Sequence, residues 1–336
     1  MDGESLASWV NAMSRQSGMD TTALLRELRL SREGSLNLLQ VRLPESAVRH
    51  LRRETGLDEE ALHAMTLARF SGTALPHLPV EPWQDAAAFS QWHSSAWLSD
   101  RRARWCPKCL RENDMRWPLR WMLPWSFACL KHSLYLATEC ARCLSPVYFN
   151  KHSALRRSCS AYMREHTYAY DATCGFPITQ QRNLRVSDPS ILILQQRINA
   201  WLDGQATTSD RQFASLTAVM VLLVTLMMMR HHGEDPALLC GLRSRPGQGT
   251  VHEWRLWEDP LRVAAAASVA HQILRSATSP ADVATTIQDL RTVDHREYPC
   301  QLDVMDWAYG PALRPNLYVD ELVRRGVITI GAFRRV

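Results

Sequence analysis

The chain has 336 residues, 46% hydrophobic and 22% charged, with 14 Gly and 17 Pro. This is the composition of folded protein, about two domains by length, and it excludes a collagen-like, fibrous or disordered chain. The formal charge of +5 is unevenly spread: residues 101–170 carry 13 Lys/Arg against 4 Asp/Glu, a local +9. A polyanion, nucleic acid above all, is the partner such a segment suits.

The first seventy residues read as short helices. Residues 4–17 set Leu6, Trp9, Val10 and Met13 on one face, and Gly18 suits the stop. Thr21 or Thr22 is the expected cap of a second helix over 23–28. A third runs from Pro44 to Gly56, with Val48 and Leu51 one turn apart, and Asp58 caps a fourth over 59–67. Helix, glycine turn, helix is the outline of a helix-turn-helix, and equally of plain helix packing. The opening Met1-Asp2-Gly3-Glu4 is acidic, so a secretory leader is not expected.

Pro76, Pro79 and Pro82 then punctuate a connector, and seven of the twelve Trp fall between 83 and 125. Trp117, Trp121 and Trp125 recur every four residues, but Pro118 and Pro124 argue against a regular helix. Large rings there are expected to cover a small metal domain that lacks a big core, with nucleic-acid contact as the alternative.

Nine cysteines are present, and seven lie between Cys106 and Cys174. Clustered Cys-x-x-Cys pairs without a leader read as metal ligands, not disulfides. Cys106-Pro-Lys-Cys109 and Cys129-Leu-Lys-His132 are two knuckles 19 residues apart, together a closed tetrahedral set of the kind zinc prefers. Cys140-Ala-Arg-Cys143 begins a second set, with Cys174 as third ligand. Its fourth is Cys159, His166 or Asp171, of which Cys159 is preferred because thiolate is the commoner structural ligand. Cys240 and Cys300 stand alone as small hydrophobes. There is no H-E-x-x-H, no deaminase pattern and no Gly-rich phosphate loop. Two zinc ions in a structural role, and no enzyme activity, are expected.

After about residue 185 the pattern is helical again: 189–202, 210–229, then helices opened by Asp259-Pro260 and Ser279-Pro280, and a last one near 318–325. Residues 213–229 carry no charge but fall short of the roughly 20 apolar residues of a membrane span, so a buried core helix is expected. The fold class expected is mainly α with a small zinc-ribbon or zinc-knuckle region. Its parts are an N-terminal helical, helix-turn-helix-like region (1–72), tandem zinc sites (73–185) and a C-terminal helical domain (186–336).

Three landmarks resemble the TniQ family: Glu4-Ser5-Leu6-Ala7-Ser8-Trp9, the stretch from Thr55-Gly56-Leu57 to Met65-Thr66-Leu67, and the run WCPKCLREN, RWPLRWMLPWSFACLKHSLYL and CARC from Trp105 to Cys143. The similarity covers roughly residues 3–180. Asp171 departs from it, standing where such proteins carry another cysteine. The resemblance implies a non-catalytic, cytoplasmic adaptor in DNA transposition. Such an adaptor links a target-recognising element, either a DNA site or an RNA-guided CRISPR effector complex, to an AAA+ ATPase; a homodimer is compatible with it and a membrane is not expected. Arg101, Arg102, Arg104, Lys108, Arg111, Arg116 and Arg120 are the candidate nucleic-acid contacts. The competing reading is a stand-alone zinc-containing transcriptional regulator that binds DNA through residues 44–67.

Overall fold

The computed structural model describes residues 3–32, 36–71, 74–75, 78–84, 89, 104–147, 157–161, 173–204, 216, 259–292, 302–305, 321, 324–325 and 328–331. The fold is mainly helical. Five helices come first: α1 (Leu6–Ser17), α2 (Thr21–Glu27), α3 (Leu36–Val41), α4 (Glu45–Thr55) and α5 (Glu59–Ala64). A short α6 (Pro107–Glu112) and a two-stranded antiparallel hairpin, β1 (Ala128–Cys129) with β2 (Leu134–Tyr135), occupy the cysteine-rich segment. Helices α7 (Pro189–Leu202), α8 (Pro260–Ser276) and α9 (Pro280–Thr292) follow, then a parallel pair of strands, β3 (Leu302–Met305) and β4 (Ile328–Gly331).

Local chemistry sets most helix ends. Ser5 Oγ accepts from the Ser8 amide at the start of α1, and Gly18 closes that helix at φ +67°. Asp20, not Thr21 or Thr22, caps α2: its carboxylate takes the amides of Thr22 and Ala23, a better acceptor than a hydroxyl one residue inside. Gly56 ends α4 at φ +71°, and Asp58 accepts from the Ala61 amide at 2.6 Å to open α5. Asp188 and Asp259 cap α7 and α8, each followed by Pro at the first helical position. Ser279 and Asp282 form a reciprocal capping box on α9, with Ser279 N to Asp282 Oδ2 at 2.9 Å and Asp282 N to Ser279 Oγ at 3.3 Å.

The hydrophobic interior divides by location. One cluster lies within the first five helices, built on Leu6, Val10, Leu51 and Leu62. A second packs Trp105, Trp117 and Trp121 around Cys106 and Cys129. The largest joins distant stretches: Leu67 and Phe70, Leu119 and Phe127, Ile191 and Ile198, and Val263, Ala267 and Ala270 of α8. Leu216 is buried in it, but the rest of the apolar run 213–229 lies outside the described residues. Among the described residues no helix is long and apolar enough to cross a membrane. Of the last expected helix, Glu321, Arg324 and Arg325 are described, joined by Arg325 N to Glu321 O at 3.0 Å.

Trp105, Trp117, Trp121 and Trp125 behave as packing, whereas Trp92 and Trp97 lie outside the described residues. Trp105 and Trp117 are fully buried, 6.2 Å apart, and Trp121 meets Trp117 edge-on at 6.0 Å and 84°. Rings enclosed in this way cannot stack on a base. Pro118 does prevent a regular helix; the segment forms a 3-10 turn over Leu119–Met122 instead.

The N-terminal helix is interlocked with this segment. Ser5 N donates to Trp117 O at 3.0 Å, Leu119 N to Gly3 O at 2.7 Å, and Trp117 N to Ser8 Oγ at 2.9 Å. Beneath them the Glu4 carboxylate accepts from Ser8 Oγ at 2.7 Å and from Arg116 Nη1 at 2.8 and 3.0 Å. Asp203, just past α7, joins two more parts of the chain, with Arg69 at 3.5 Å and Arg120 at 3.4 Å.

Candidate metal centres

The first centre is built by two knuckles. Cys106 precedes α6, Pro107 starts it, and one helical turn then carries Cys109 back beside Cys106. Cys129 ends β1, and a tight turn with Ser133 at φ +50° returns the chain to β2, placing His132 over the same point. The His132 Nδ1 atom lies 3.4 Å from Cys106 Sγ, 3.3 Å from Cys109 Sγ and 3.5 Å from Cys129 Sγ. Cys109 and Cys129 sulfurs are 3.5 Å apart. A tetrahedral ion with bonds of about 2.3 Å to sulfur and about 2.0–2.1 Å to nitrogen would set S···N edges near ~3.5 Å and S···S edges near ~3.8 Å. The observed edges match those of a four-coordinate ion.

The second centre uses longer loops. Cys140 and Cys143 share a turn closed by Leu144 N to Cys140 O at 2.8 Å, with Leu144 at φ +56°. Cys159 and Cys174 approach from two pieces of chain, joined by Cys159 N to Phe176 O at 2.8 Å and Gly175 N to Cys159 O at 2.9 Å. Gly175 sits at φ +65°, which suits glycine in that turn. Cys140 and Cys174 sulfurs are 3.8 Å apart and Cys143 and Cys159 sulfurs 3.6 Å. In each centre the four ligand atoms lie within 4.8 Å of one another. All seven of these cysteines are free.

Crowding of ionisable sulfurs sets their electrostatics. Thiol donation from Cys109 and Cys129 holds Cys106 well below the ordinary thiol range, at about 2. Cys109 and Cys129 are pushed up in turn, first by donating to Cys106. Burial pushes up Cys159 and Cys174. Burial also opposes ionisation of Cys143, yet the backbone and hydroxyl of Ser145 hold it down. A divalent cation relieves such crowding by letting all the thiolates form together. Both clusters could hold a metal ion, and the donor sets are compatible with zinc.

Residues outside the knuckles hold them in place. Gln195, fully buried on α7, accepts from the amides of Phe127 and Ala128 at 2.8 and 2.9 Å and donates to Trp125 O at 3.1 Å, fixing the strand that ends in Cys129. Asn183 donates to Trp105 O at 3.3 Å and to Tyr135 O at 2.8 Å. The sequence pattern singled out neither, because a lone amide in a helix or loop carries no spacing signal.

The candidate nucleic-acid contacts fare differently from one another. Lys108 and Arg111 are exposed on α6, with Arg111 also donating to Thr179 O. Arg116 is engaged by Glu4 and Arg120 by Asp203. Arg104 must be removed from the set. It is 4% exposed and donates to the carbonyls of Leu123 and Ser126, so its guanidinium serves the interior. Arg101 and Arg102 lie outside the described residues, as do His166 and Asp171.

The placement of Cys159 has a direct check. Cys159→Ala is expected to remove one metal equivalent per chain, leaving the first centre loaded, whereas His166→Ala and Asp171→Ala keep both. Metal counting on the purified variants decides it; two equivalents retained by Cys159→Ala would remove Cys159 from the ligand set.

The architecture is that of a mainly helical protein with two four-residue Cys/His clusters, each of which could hold a metal ion. Residues 1–136 match the TniQ family model, a span from the opening helices through the whole first centre. No curated protein matches the chain.

Proposed function

We propose that this chain is a non-catalytic TniQ-type adaptor in transposition target selection, with one zinc ion in each centre. It links a target-recognising element, a DNA site or an RNA-guided effector complex, to an AAA+ ATPase. The observation that carries this reading is the family match over 1–136, which takes in the interlocked α1 and the complete knuckle pair of the first centre. The donor sets support a structural metal: four protein ligands close a zinc shell, whereas catalytic zinc keeps a position for water or substrate.

The nucleic-acid side of the adaptor is the exposed basic surface of the metal region. Lys108 and Arg111 belong to it, with Arg101 and Arg102 as its sequence neighbours. Arg142, Arg182 and Arg185 are further exposed cations of the same region that the sequence reading passed over. Each phosphate neutralised contributes about 0.9 to the slope of log affinity against log salt on duplex DNA. Lys108→Ala, Arg142→Ala and Arg182→Ala combined are expected to lower that slope by up to about 3 in folded, metal-loaded protein. An unchanged slope would place nucleic acid elsewhere.

The regulator reading is less well supported. A reading helix meets DNA with its N-terminal residues, and α5 begins with exposed Glu59 and Glu60, the former 3.6 Å from Arg52. Carboxylates at that end repel phosphate. A footprint formed by the chain alone, abolished by changes in α5, would favour the regulator.

A further inference from the structure

The first centre has a feature that its four ligands do not explain. His132 presents Nδ1 to the three sulfurs, which turns Nε2 away from them. A neutral imidazole that ligates through Nδ1 carries its proton on Nε2, and that N–H needs an acceptor. Glu112 provides it: Oε1 lies 2.9 Å from Nε2. The other carboxylate oxygen, Oε2, is 2.7 Å from Lys131 Nζ, so the group is held from both sides.

The sequence builds this contact economically. Glu112 is the last residue of α6 and follows Cys109 by three positions, so ligand and acceptor share one short helix. Lys131 and His132 are consecutive in the turn that follows Cys129. The carboxylate therefore ties the first knuckle to the second outside the metal shell. Its ion pair with Lys131 is exposed, with side chains 44% and 68% accessible, and counts for little as an ion pair.

We propose that Glu112 is a positioning residue for the Cys106–Cys109–Cys129–His132 centre, accepting the Nε2–H of His132 so that the Nδ1 lone pair is fixed toward the ion. This rests on the reading that the centre holds zinc. Partners of this kind orient the ring and raise its basicity, and their loss commonly weakens metal binding 10–100-fold.

The test uses the full chain loaded with 113Cd. A centre of three thiolates and one imidazole and a centre of four thiolates give separate resonances, and each reports its own occupancy during chelator competition. Glu112→Ala is expected to lower affinity at the first, His132-containing centre by about 10–100-fold. The second, all-cysteine centre should be unchanged. Glu112→Gln, whose amide oxygen still accepts, should recover most of the loss, and Lys131→Met should stay near wild type. Imidazole 15N spectra of the loaded protein should place the His132 proton on Nε2. Equal affinity of the first centre in wild type and Glu112→Ala would overturn the assignment, and so would an equal loss at both centres. If folded wild type gave no resonance from the first centre at all, the zinc reading would fail and take this inference with it.

Discussion

Chelating the metal from the folded protein is expected to loosen the N-terminal helices together with the cysteine-rich segment. The coupling is structural. Residues 117–119, which follow α6, hold the backbone of Gly3 and Ser5 and the Ser8 hydroxyl through three hydrogen bonds. Trp105 and Trp117, buried against Cys106 and Cys129, keep those residues in register with the first centre. In zinc-finger peptides metal binding supplies about 10–16 kcal/mol of apparent folding free energy. A typical domain has only about 5–15 kcal/mol in total. Loss of the first centre is therefore enough to unfold the stretch around it, and the docked end of α1 loses its partners. Cys106→Ser and Cys129→Ser should accordingly yield insoluble or unfolded protein. Hydrogen exchange at the amides of Ser5, Trp117 and Leu119 should rise sharply on chelation. Unchanged protection there would mean that the two parts fold independently.

Arg116→Met is expected to cost about 3 kcal/mol of stability, the lower end of the range for removing one partner of a buried ion pair. The lower end applies because Arg116 keeps a fifth of its side chain exposed, whereas the Glu4 side chain is 1% exposed. The variant leaves the Glu4 carboxylate in the interior, with Ser8 Oγ still donating to it but without the Arg116 guanidinium. Adding Glu4→Leu should return a large part of the loss, since the buried charge is then gone. Denaturant unfolding of the two single variants and the double measures the coupling. A change below about 1 kcal/mol for Arg116→Met would show that the pair behaves like a surface contact. The same result would return Arg116 to the pool of phosphate contacts.

Spacing made the two Cys/His clusters readable. Two ligands at i and i+3 can meet one ion only through a tight turn, and three such turns in sequence order require more than one shell. Helix ends were readable where an Asp or Ser precedes a Pro, as at Asp259 and Ser279. The cap of α2 was misjudged because several polar residues compete there and only geometry selects Asp20. Helix α3 was missed: six residues, LNLLQV, are too few to display a period. The basic segment misled most. A count of charges cannot distinguish Lys108, which faces solvent, from Arg104, which is buried against backbone carbonyls. Nor can it foresee that Glu4 and Asp203, more than 80 residues away in sequence, claim Arg116 and Arg120. Burial of an arginine is decided by tertiary partners, and those are invisible to local composition.

The adaptor account is tested most directly by measuring recruitment of the cognate AAA+ ATPase to target nucleic acid, with and without the metal-loaded chain. The account predicts that the ATPase is retained at the target only when this protein is present. It predicts further that the Lys108, Arg142 and Arg182 substitutions abolish retention on nucleic acid while leaving the protein's association with the ATPase intact. Retention of the ATPase that is indifferent to this chain, together with a sequence-specific footprint formed by the chain alone, would contradict it and make the protein a free-standing DNA-binding regulator.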